Sequence, residues 1–232
     1  MVEQLVWGAN WSILGRVARP NIAVLCLKPG RTHYRRADGD AHSVSIYHCA
    51  MSQEVIQRVT GLIQGFDARV RAVDASSWAN QSPCGEWTAR DVVVHVANNL
   101  SRVGGLLAGT EPVDVASDAD ITVAWDAARA QFLTGIATGD LSTSLPGPFG
   151  PMPAEQLIGR LMSNDILVHT WDLARAVGGD ERLDQAVAEA AYSGLLPLDA
   201  MIRQPGIFDA KVDPPEGADS QTKLLCFLGR RV

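Results

Sequence analysis

Cysteine is scarce in this sequence, with four in 232 residues, at positions 26, 49, 84 and 226. None stands in a Cys-x-x-Cys pair, and a chain of this size has no need of disulfide staples, so a reducing cytoplasm is the expected compartment. Long apolar runs are missing too. Nothing approaches the ~20 residues of a membrane span, and "NIAVLCL" is too short for the apolar core of a signal peptide and lacks a clean charged lead. There is no basic excess either. The formal net charge is −6, whereas nucleic-acid binding generally needs a basic face. No internal repeat or low-complexity tract is present, and "GPFGP" resembles no phosphate loop; it reads as a turn-rich linker near a bundle mouth.

What remains is ordinary globular composition, 47% hydrophobic and 20% charged, enough for one domain with a sizeable core or a domain with an appendage. Charge is unevenly spread. Residues 1–50 carry six Lys/Arg against three acids, a net of +3, which leaves −9 for the rest of a chain whose total is −6. The stretch "PGRTHYRRADGDAHS" holds neither helical nor strand periodicity for long. Periodicity and charge sign change together at Met51. Two domains of organisation are therefore expected: residues 1–50 as an extension, disordered or created by a start assigned upstream of Met51, and residues 51–232 as a helical domain.

From Ser52, the apolar positions Val55, Val59, Leu62, Ile63, Phe66, Val70 and Val73 follow steps of three and four, an amphipathic helix. "ASSWANQSPCGEW" breaks it. Thr88 then stands three residues before Asp91, a capping-box variant that opens a second helix running to about Gly109. "VVV" within it could by itself be a strand, but the cap and the continuing Leu100, Val103 and Leu107 decide for helix. Ile121, Trp125, Ala128, Phe132 and Ile136 form a third stripe. After the long connection "GDLSTSLPGPFGPMP", a fourth helix starts near Pro153 and runs to about Val177. A fifth, "DQAVAEAAYSGLLPLDAMI", is interrupted near Pro197. The tail holds a short extended piece and a last apolar helical turn around Leu224–Leu228. The expected fold is all-α, a four-helix bundle with an additional C-terminal helical segment.

Of the five histidines, His33, His42 and His48 fall in the N-terminal stretch, and only His95 and His169 lie in the helical body. Asp165 precedes His169 by one turn, so both project from one face. Bundles build metal sites from carboxylate and imidazole ligands on facing helices. His95 with Asp165 and His169 would supply three protein ligands and leave positions open, the pattern of a catalytic site. The plain alternative stays open: a histidine on an apolar helix is more often a hydrogen-bonded core residue, and Asp165 and His169 can simply pair across one turn. A carboxylate on an apolar face is costly unless paired or metal-bound, which adds weight to the first reading without closing the second.

Neighbouring residues have two readings as well. Asp172 could orient a ligand from behind, but pairing with Arg175 on a solvated helix face is the expectation. Trp87 and Trp171 read as packing residues, with Trp171 able to line a pocket. Asn98 and Asn99, about a turn beyond His95, read as a polar edge or as facing the site. Cys84 reads as a small structural residue in a turn before it reads as a reactive thiol or ligand.

Three blocks, "SPCGEWTARDVVVHVANNL", "DILVHTWDLARAVG" and "LLCFLGRRV", resemble in the same order those of the DinB-like superfamily, in particular the metal-binding domain of mycothiol-dependent maleylpyruvate isomerase and its relatives. The resemblance runs from about Met51 to Val232. It implies a DinB-like four-helix bundle with a divalent metal, zinc first and nickel or iron as alternatives, held by His95, Asp165 and His169. Asp stands here where the isomerase has Glu and many DinB-like proteins have His. The resemblance does not extend to the separate C-terminal α/β domain of the full isomerase, which helps bind mycothiol.

The activity implied is a metal-dependent thiol S-transferase or isomerase, with mycothiol or a similar low-molecular-weight thiol as co-substrate and a small-molecule electrophile as its target. Two rival readings share the same ligands: metal-assisted hydrolysis through bound water, and a bundle that binds a metal or small ligand without turnover. No nucleic-acid or membrane partner is expected, and a homodimer is allowed for.

Overall fold

The computed structural model describes residues 41–203 and 208–232, with side chains from Ser52 onward. The expected extension, apart from the backbone of residues 41–50, lies outside these residues, as do His33 and the side chains of His42 and His48.

Helix α1 spans Ala41–Arg71, so its backbone begins ten residues before Met51. Val59, Ile63, Phe66 and Val70 are buried along one stripe, and Val55, Leu62 and Val73 pack at its edges. Helix α2, Ala89–Ala108, opens with the capping box: the Asp91 N–H donates to Thr88 Oγ1 and the Thr88 N–H donates to the Asp91 carboxylate. It ends at Gly109 in the left-handed region, where a residue without Cβ is unstrained. Helix α3, Ile121–Thr138, is capped by Asp120 and buries Ile121, Trp125, Ala128, Phe132 and Ile136.

Helices α2 and α3 touch backbone to backbone. A Cβ on Gly104 would stand 2.5 Å from the Phe132 Cα, and one on Gly135 would stand 2.5 Å from the Gly104 carbonyl oxygen. Only glycine permits that approach.

The linker after α3 holds a minimal antiparallel hairpin, β1 (Ser144–Leu145) with β2 (Met152–Pro153), turning through "GPFGP". Two residue pairs are too short to leave a period-two signal, so sequence reading sees only a linker.

The fourth long helix arrives in three pieces. Helix α4 (Ala154–Gln156) passes into a π-helical turn, Leu157–Met162, and continues as α5, Ser163–Val177. Gly178, at φ 68°, closes it. Helices α6 (Gln185–Leu195) and α7 (Asp199–Ile202) are separated by a 3-10 turn at Leu196–Leu198 that contains Pro197, which cannot continue the hydrogen-bond ladder. Helix α8 is Ser220–Phe227.

Two apolar clusters result. The larger joins α1, α2, α3 and the inner face of the fourth helix around Phe66, Trp125, Phe132 and Leu100. Each such side chain contributes roughly 1.5–3 kcal/mol by leaving water. The smaller joins the outer face of α5, through Leu167, Val168 and Trp171, to α6 and α8. Helix α5 is thus covered from two sides, and every residue from Ile166 to Ala174 is buried. Polar groups on it need partners inside the protein; among the buried side-chain polar atoms of α5 only the Trp171 indole N–H lacks one.

Candidate metal centre

Helix α2 presents His95 and helix α5 presents Asp165 and His169 to one point. His95 Nε2 lies 3.2 Å from Asp165 Oδ1, and His169 Nε2 lies 3.3 Å from the same oxygen. The two imidazole rings meet edge to face with centroids 4.8 Å apart. One ligand atom from each of the three residues fits within a mutual distance of 4.8 Å. His169 is 9% exposed at its side chain, whereas His95 and Asp165 are 17% and 28% exposed. The cluster is therefore closed behind His169 and open toward solvent at Asp165.

The π-helical turn ends one residue before α5 begins, and Ser163 Oγ donates to the Ile158 carbonyl five residues back at 2.9 Å. One inserted residue turns the following helix face by about 100°. The turn thus sets the direction in which Asp165 and His169 point.

Indole and amide groups line the cluster. Trp87 packs against both imidazoles, with centroids at 4.9 Å from His95 and 5.8 Å from His169. Asn99 Nδ2 lies 3.1 Å from His95 Nε2 and donates to Asp165 Oδ2 at 3.3 Å. Asn98, by contrast, accepts the Val115 N–H and holds the loop after α2. Trp171 is fully buried in the smaller cluster, with the Arg175 guanidinium 4.7 Å over its ring. It is a packing residue.

Asp172 corrects the expectation of a solvated helix face. It is 0% exposed, and Arg175 pairs with Glu181 at 2.7 Å instead. The reason is the second layer: α6, α8 and the tail cover the face of α5 that helical spacing alone would leave to water. Asp172 Oδ2 accepts His169 Nδ1–H at 2.9 Å, the Cys84 thiol at 3.0 Å and Arg230 Nη2–H at 2.9 Å. Cys84 thus has a structural role behind the histidine. Arg230 has no spacing relation to α5, and only the folded chain reveals it.

The electrostatics follow from this crowding. Burial works against ionising Asp165, but the charges of His95 and then His169 outweigh it and hold the carboxyl well below its ordinary range. Burial likewise opposes charge on His169, while Asp165 overcomes it and lifts the imidazole well above its usual value. Asp172 also resists ionisation by burial and is held low by Arg230 first, then by His169. Protons and a metal compete for the same lone pairs on Asp165 and the two Nε2 atoms.

The residues fit a divalent ion. Two imidazoles and one carboxylate are a donor set for a borderline cation with positions left open. The bond from His169 Nδ1 to Asp172 commits that nitrogen as donor and leaves Nε2 for a ligand, the arrangement that orients metal-binding histidines. Cys84, His169 and Asp172 also bring ligand atoms within 4.8 Å, but the Arg230 guanidinium already supplies positive charge there.

An all-α bundle of this build defines a DinB-like helical domain. The chain belongs to the mycothiol maleylpyruvate isomerase N-terminal domain family, whose sequence model matches residues 59–174. It is similar to two Mycobacterium tuberculosis proteins, Uncharacterized protein MT0763 of strain CDC 1551 and Uncharacterized protein Rv0738 of strain H37Rv. Each is 33% identical over 172 residues, covering 72% of this chain and 92% of the relative. No solved structure matches the chain. Among the described residues, no helix is long and apolar enough to cross a membrane.

Proposed function

We propose that this protein binds a divalent metal, zinc first, through His95, Asp165 and His169, and uses it in thiol chemistry as an S-transferase or isomerase. The convergence of those three side chains from two helices carries the reading, and membership of a mycothiol-linked family names the thiol class. A divalent ion there would bind a thiol sulfur and lower its pKa, yielding thiolate near neutral pH. His95 and His169 offer Nε2 lone pairs, and Asp165 offsets one positive charge. Asp172 keeps the proton on His169 Nδ1. Trp87 excludes water from one side of the imidazoles, and the exposed flank at Asp165 admits substrate. Mycothiol, or a similar low-molecular-weight thiol, and a small electrophile are the proposed partners, in the cytoplasm.

The test is metal content of the purified protein by elemental analysis, beside Asp165→Ala and His169→Ala. Near-stoichiometric metal that disappears in both variants supports the centre, and full occupancy in His169→Ala refutes the ligand assignment. Metal-dependent transfer of the thiol to a model electrophile then supports the activity. Hydrolysis without thiol would replace it with the hydrolase reading, and a metal-loaded protein that does neither would be a binding bundle.

A further inference from the structure

We propose that Arg230 is a positioning residue for the His95–Asp165–His169 centre, acting through Asp172, so that the segment after α8 forms part of that centre. The inference rests on the metal reading above.

Arg230 lies 58 residues beyond Asp172 and reaches it with a fork: Nε–H donates to Oδ1 at 3.2 Å and Nη2–H to Oδ2 at 2.9 Å. A planar guanidinium on both oxygens sets the plane of the carboxylate. Nη2 also donates to Cys84 Sγ at 3.4 Å, and Nη1 to the Leu228 carbonyl at 3.0 Å. Four of the five N–H groups an arginine carries are thereby engaged, and the side chain is only 11% exposed. So occupied, Arg230 is poorly placed to bind a substrate carboxylate. It serves as a clamp.

The clamped carboxylate then acts on the histidine. With its plane set, Asp172 Oδ2 holds His169 Nδ1 at 2.9 Å on one side of the ring, while Nε2 on the far side lies 3.3 Å from Asp165. Rotating the imidazole would break the Nδ1 bond and leave the fully buried Asp172 carboxylate one donor short. The Cys84 thiol, donating to Oδ2 at 3.0 Å, ties in the turn before α2. Three distant segments thus meet on one carboxylate behind one ligand. A structural ion pair would do no more than hold the tail down. A positioning pair would also alter how the centre takes a metal.

The full chain loaded with cobalt(II) distinguishes these. Affinity is read by chelator competition, geometry by the visible bands, and folding by far-UV circular dichroism, for the wild type, Arg230→Met and Arg230→Lys. Arg230→Met is expected to bind cobalt about 10–100-fold more weakly, the range for losing an outer partner, with shifted bands. Arg230→Lys keeps the charge without the fork and should fall between. Wild-type affinity and bands in a folded Arg230→Met overturn the proposal, and where that variant does not fold, the same result in Arg230→Lys overturns it. A wild type that takes up no cobalt would instead refute the centre itself, and the clamp with it.

Discussion

Replacing Asp172 with Asn keeps the side chain's shape and removes its charge. Asp172 is 0% exposed and Arg230 11% exposed at the side chain, so the change leaves a guanidinium with little water and no counter-charge. Removing one partner of a buried ion pair costs about 3–5 kcal/mol. The slight exposure of Arg230 lets it relax, so the expected loss is near the lower end, about 3 kcal/mol. That is a large share of the roughly 5–15 kcal/mol that holds a domain folded. Urea unfolding at neutral pH, with chelator present, measures it as a lower midpoint. A second variant, Asp172→Asn with Arg230→Met, removes both charges and should lose less than the two single changes together. pH gives an independent check. The folded Asp172 carboxyl titrates below its ordinary value, so the pair's stabilisation is complete above the unfolded pKa of ~3.9. It is lost as pH falls toward the folded pKa. The gap between wild type and Asp172→Asn should therefore be fullest from about pH 5 to about 6.5, narrow below about pH 4, and narrow in part above about pH 6.5 as His169, which Asp172 helps to keep protonated, loses its proton. A midpoint shift worth less than about 1 kcal/mol, unchanged by pH, would mean that the Arg230–Asp172 pair does not form as described.

Three further outcomes test the scaffold and the cluster. Thr88→Ala removes the oxygen that accepts the Asp91 N–H and should cost about 1 kcal/mol in urea unfolding. Gly104→Ala places a methyl 2.5 Å from the Phe132 backbone; forcing α2 from α3 should cost at least about 1–3 kcal/mol, read as a lower thermal midpoint. Asn99→Ala deletes an amide that touches both His95 and Asp165. Metal affinity by chelator competition should fall by about tenfold, while the unfolding midpoint stays near that of the wild type.

The amino-acid sequence by itself determined the long helices, because each keeps its apolar residues at steps of three and four, and α2, α3, α6 and α8 are opened by local side-chain caps. Thr88 with Asp91 needed only three residues of spacing to be legible, and Gly178 needed only its place after the last periodic residue. The approach of Asp165 to His169 followed from one helical turn. That His95 would meet them depends on two helices packing, and the family resemblance supplied what spacing could not. Tertiary structure alone decided the rest. Asp172 and Arg175 stand at pairing distance on any helix diagram, yet α6, α8 and the tail bury the first and turn the second to Glu181. Arg230 comes to Asp172 across 58 residues, a separation that leaves no periodic trace. The reason is physical: helix formation is driven by neighbours along the chain, whereas the partner of a buried charge is whichever group the packing of distant segments brings within reach.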